Sequence, residues 1–275
     1  MKRILLRSLL ALNLTLAGCT IHQLHKNNPY RNLNFAKHIP ESKLQNASIT
    51  SRPNQKTLED IIDLNEFLTN KNIKKYNEYY QTLKQLSVEE LIDITTRPIH
   101  AGIIMNVIMY RTEKFYDEIV TAASESEIEI SSQQQKRRYN ITIAQSDQTT
   151  CLDKIRDGEV FSCFGYAIST ARMLYDNGYP PYILLMIEDN NYGHYISHVV
   201  HIIKSNDQLA SLGLNSTIGF SESNTLHSIT EEMNQRGGCN FSRYILFDLD
   251  QASPGWQTNT NITIKYRERD VRTIK

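Results

Sequence analysis

Cys163 stands in the run Phe161-Ser162-Cys163-Phe164-Gly165-Tyr166-Ala167, where an apolar helical pattern begins. A thiol at a helix start meets unpaired backbone N–H groups and the positive end of the helix dipole. Both favour thiolate, so a lowered pKa is expected there. Cys151 precedes a polar segment and Cys239 follows a glycine pair, so position singles out Cys163 as the reactive thiol. A nucleophilic thiol needs a base, and three histidines stand in His194-Tyr195-Ile196-Ser197-His198-Val199-Val200-His201. Side chains alternate along a strand, so His198 and His201 belong to opposite faces and only one of them can face Cys163. A matched pair would attack an amide or ester carbonyl, form a thioester, and pass the acyl group to water or to an amine.

These residues need a scaffold. A helix is predicted over 164–175, stopped by Asn177-Gly178 with Pro180-Pro181 beyond. Strands are predicted over 182–187, 195–203, 208–214 and 244–249, separated by Asn190-Asn191-Tyr192-Gly193 and Ser205-Asn206-Asp207, with a short helix over 228–235. Helix followed by consecutive antiparallel strands is an α+β arrangement. Upstream the texture is helical. Leu58, Ile61, Ile62, Leu64 and Leu68 recur at helical spacing; Tyr76, Tyr79, Tyr80, Leu83 and Leu86 do the same. Ser87-Val88-Glu89-Glu90 is a capping-box signature, and a further helical run spans 99–123. The organisation expected is 1–18 a signal peptide, 19–56 a flexible tether, 57–135 a helical region and 136–275 the core.

Over 139–250 the chain resembles the transglutaminase-like cysteine peptidase superfamily, of papain-like fold. That resemblance rests on a Cys opening a helix, on His198-Val199-Val200-His201-Ile202-Ile203 as a His-led strand 35 residues on, and on Leu209 to Asn215 as the next strand. It implies Cys163 as nucleophile, His198 as base and a third polar residue that orients the imidazole. The family's usual Asp position falls near Gly213, so Asn215 takes that role, with Asp207 too far forward in a turn. Phe161 replaces the family's Gly two before the Cys, and Val200 replaces its aromatic after the His. The implied activity is a thiol-dependent hydrolase or acyl transferase acting on peptide or amide bonds. A non-catalytic protein of the same fold that binds a cell-envelope partner is the alternative. A peptidoglycan amidase of the NlpC type is disfavoured, because Ser162-Cys163-Phe164-Gly165 lacks the Asp-Cys-Ser-Gly of those enzymes.

The N-terminus reads as an address. Lys2, Arg3 and Arg7 precede a short apolar stretch that ends in Leu16-Ala17-Gly18-Cys19, which resembles the bacterial lipobox. Cleavage before Cys19 and its acylation follow from that resemblance; each buried methylene adds about 0.8 kcal/mol of membrane affinity. The expected location is the bacterial cell envelope, with the protein lipid-anchored at the outer membrane and facing the periplasm. The 275 residues carry 30 basic and 30 acidic side chains; losing residues 1–18 removes three basics and no acids, leaving −3. That balance argues against nucleic acid as a partner, and the partners expected are the membrane and a peptide or protein substrate. Cys151, Cys163 and Cys239 then remain. A Cys151–Cys239 disulfide with Cys163 free is one solution of the odd count, and three unpaired buried thiols are the other. No His-Glu-x-x-His or paired-Cys motif occurs, so neither metal nor other cofactor is implied.

Overall fold

A computed structural model describes residues 34–50, 52–64, 73–109, 141–145, 152–157, 163–189, 195–213, 225–237, 239–258 and 262–274. The chain divides into Met1–Asn34 and a compact unit, Phe35–Lys275. In the compact unit the described elements are α1 (Ile73–Lys84), α2 (Val88–Ile94), α3 (Pro98–Met109), β1 (Ile141–Gln145), α4 (Leu152–Asp157), α5 (Cys163–Tyr175), β2 (Tyr182–Asp189), β3 (Tyr195–Ser205), β4 (Gln208–Leu212), α6 (Leu226–Gly237), β5 (Arg243–Asp248), α7 (Leu249–Ala252), β6 (Thr263–Arg267) and β7 (Arg272–Thr273). The unit is a mixture of helix and antiparallel sheet.

The main sheet has the order β4-β3-β2-β5-β7, and a second, two-stranded sheet pairs β1 with β6. Within the main sheet every pairing is antiparallel, with Met186 opposite His198 and Ile183 opposite His201. Period-two alternation then sorts the side chains. Ile183, Leu185, Ile187, Val199, Ile245 and Phe247 face α5, where Phe164, Ala167, Ile168 and Ala171 meet them. Leu184, Met186, Val200, Ile202 and Leu246 face the other way, onto Leu226, Ile229 and Met233 of α6. The alanines of α5 let its backbone approach the sheet closely, and its far side (Tyr166, Met173, Leu174) joins Leu83, Leu91 and Ile104 from the upstream helices.

That last cluster corrects the expected division. Among the described residues, those from Leu58 to Ile108 that are buried share one core with α5, Ile203 and Leu212. The tether expected over 19–56 is also revised from Ala36 onward. Ala36 N–H donates to the Lys265 carbonyl, Ile39 N–H to Leu246, Ala47 N–H to Lys204 and Ser48 N–H to Gly178. Ala36 and Leu44 are buried. A polar composition concealed a strap whose few apolar residues reach the core. The helix expected from Leu58 opens with a 3-10 turn, Leu58–Asp60, with Leu58 and Ile62 buried; Leu64 is helical again, and Leu68 lies outside the described residues. No helix among the described residues is long and apolar enough to cross a membrane.

Candidate functional site

α5 begins at Cys163, as the helical pattern predicts. The residue is half-buried and packs against the clusters on both sides of α5. Its sulfur lies within reach of the backbone N–H groups of Val199, Phe164 and Cys163, all of which favour thiolate. Burial opposes them and wins: desolvation pushes the thiol above its ordinary 9.0. The expected lowering of its pKa is therefore corrected: the thiol packs against two apolar clusters, and that desolvation outweighs the three N–H groups.

His198 is placed on the other face. Its register partner is Met186, and its ring stacks on Phe241, with centroids 6.2 Å apart and planes inclined by 18°. Met186 and Phe241 belong to the α6-side core. The thiol instead reaches the backbone of Val199, the neighbouring residue, whose side chain faces α5. α5 covers the odd-numbered side of β3 and His198 is even-numbered, so the thiol meets the backbone of the residue next to His198.

His201 takes the α5 side, the reverse of the assignment that the resemblance implies. It is 0% exposed, and its Nε2 lies 3.2 Å from the Pro180 carbonyl oxygen. A carbonyl only accepts, so the proton sits on Nε2, and Nδ1 finds no partner among the described residues. Burial lowers this imidazole from 6.5 to about 4. The ring is neutral and tied to Pro180, at the opposite end of α5 from Cys163.

A β-carbon on Gly213 would lie 2.6 Å from Val200 Cγ1, so no carboxylate fits where the family's Asp falls. Asp207 sits in the β3–β4 turn, beside Lys204 at 3.3 Å and bonded to Asn46. Asn215, Cys151, His194 and Cys19 lie outside the described residues, so neither the Asn215 role, the Cys151–Cys239 disulfide nor the lipidation site is placed. Burial and the nearby Glu188 raise the Cys239 thiol. Among the described residues no group of three or more His, Cys, Asp or Glu could hold a metal ion.

One feature has no counterpart in the sequence reading. Where β2 starts and β5 ends, Tyr182 pairs with Asp248, and a cavity of about 400 Å³ opens between Tyr175, Pro180, Pro181, Tyr182, Asp248 and Asp250. These residues come from distant segments that only the sheet register brings together. No local spacing marks them. Comparison with known proteins finds no family model that matches the chain, no curated protein and no solved structure.

Proposed function

We propose that this chain is a non-catalytic, lipid-anchored protein of the bacterial cell envelope that binds a partner through an α+β module resembling the transglutaminase-like fold. The observation that carries the reading is the placement of the Cys163 thiol among the residues on the α5 side of the sheet, with the His198 ring stacked on Phe241 on the α6 side. A raised thiol pKa supports it, since a poised nucleophile needs the opposite shift. A second reading, the thiol hydrolase, is favoured by the three backbone N–H groups around the sulfur, which resemble an oxyanion hole. In that reading His198 reaches the thiol in place of its stack on Phe241.

Alkylation of Cys163 by iodoacetamide, followed by mass spectrometry from about pH 6 to about pH 10, separates the two. The binding reading expects a rate that climbs about tenfold per pH unit with no plateau below neutrality, and a profile unchanged in His198→Ala. A plateau near about pH 6 that His198→Ala abolishes would restore the enzyme. The anchor is tested separately. The mature N-terminus should be an acylated Cys19, and Cys19→Ala should leave the protein in the soluble fraction; an unmodified N-terminus at another residue would remove the lipid anchor.

A further inference from the structure

We propose that the cavity between the C-terminal end of α5 and the β5–α7 corner binds a cationic side chain, guanidinium or ammonium, presented by a peptide. This deepens the binding reading above and rests on it. The walls are Tyr175, Pro180, Pro181 and Tyr182, with the carboxylates of Asp248 and Asp250 among them. Its volume of about 400 Å³ exceeds one side chain and admits flanking backbone too.

Three features make the space attractive to positive charge. First, both carboxylates are fixed before any ligand arrives. Asp250 accepts from Tyr175 Oη at 3.0 Å through Oδ2 and from Trp256 Nε1 at 2.9 Å through Oδ1. Asp248 accepts from the Asp250 N–H at 2.9 Å and from Gln251 Nε2 at 3.2 Å. Acceptors already held in place lose little entropy on binding. Second, neither carboxylate is ion-paired with a described lysine or arginine, and Asp248 is half-buried, its pKa raised by that burial. A cation placed beside it would offset its desolvation. Third, the 13-residue α5 ends here, directing the negative end of its dipole at the same space. Tyrosine and proline walls suit the apolar stem of a long cationic side chain, and a tyrosine face suits its charged head. Exposed Lys43 on the rim is the one opposing charge in the lining.

The protein carries its own reporter, because Trp256 is its single tryptophan and donates to Asp250. Nα-acetyl-arginine amide titrated into the full chain should change Trp256 emission saturably, while the neutral, near-isosteric citrulline compound should not. Asp248→Asn and Asp250→Asn each keep one acceptor oxygen, for the Asp250 N–H and for Trp256 Nε1 respectively, and should each weaken binding about tenfold, read by calorimetry as well as emission. Lys43→Gln alters only the exposed rim and should tighten binding several-fold. No saturable change, equal response to citrulline, or unaltered affinity in the aspartate variants would overturn the site. A failed titration with slowly labelled Cys163 removes the cavity and leaves the binding reading. A successful one with rapidly labelled Cys163 keeps the cavity and removes the non-catalytic reading.

Discussion

Gly213 presses a bare α-carbon against β3: a β-carbon there would meet Val200 Cγ1 at 2.6 Å and the Val199 carbonyl oxygen at 3.2 Å. Gly213→Ala must push β3 and β4 apart or force Val200 off its rotamer. It should cost about 1–3 kcal/mol in urea unfolding, and an unchanged midpoint would contradict the packing described. The residue type was visible in the sequence, but the reason for it was not, since Val200 meets Gly213 only through the β3–β4 hairpin. The histidines show the same boundary. Alternation alone places His198 and His201 on opposite faces. Which face the helix covers depends on how α5 docks, through Phe164, Ala167 and Ile168, on residues of three strands. The thiol is a third case: its helix-start position is local and legible, whereas the burial that reverses its pKa is tertiary.

At the scale of elements, capped and punctuated segments were legible. Ser87 and Glu90 bond each other's backbone N–H groups in the expected capping box. α5 ends where Asn177-Gly178 predicts, through a Schellman motif: Tyr179 N–H bonds Leu174 O, and Gly178 N–H bonds Tyr175 O, with Gly178 at φ +83°. The same glycine receives the strap, because a β-carbon on it would lie 1.9 Å from Ser48 O. Gly178→Ala should therefore cost about 3 kcal/mol, from left-handed strain and overlap together, and loosen the strap. Faster tryptic cleavage after Lys43 reads the second effect, and unchanged cleavage would refute it. Elements without such punctuation escaped. β1 and β6 are five-residue strands that, among the described residues, pair with each other and with one bridge from Ala36 to Tyr266. Their alternation is too short to stand out. The strap escaped because its bonding partners lie far along the chain.

At the scale of the whole molecule, two buried imidazoles among the described residues contribute to the response to acid. Burial lowers His201 from 6.5 to about 4, and burial together with Arg97 does the same for His100. An imidazole whose pKa falls on folding takes up its proton first in the unfolded chain. Stability is therefore full above about 6.5 and declines as pH falls from there towards about 4, by about 3 kcal/mol from His201 alone. Urea unfolding at about pH 7.5 and about pH 4.5 should show the decline, and His201→Leu should flatten it by about 2–3 kcal/mol. Pro180 O keeps a donor in that variant, the Tyr182 N–H. An equal decline in both proteins would exclude His201 as its source. The strap carries a consequence of another kind, in the order of events during synthesis. Leu246 N–H bonds His38 Nδ1 across 208 positions, and Ala36 waits for Lys265. The strap leaves the ribosome long before the strands that receive it, with Leu44 still in water. The compact unit therefore cannot mature from its N-terminus onward. It closes fully only when β6 has been made, and a chain cut short before β6 leaves Ala36 undocked.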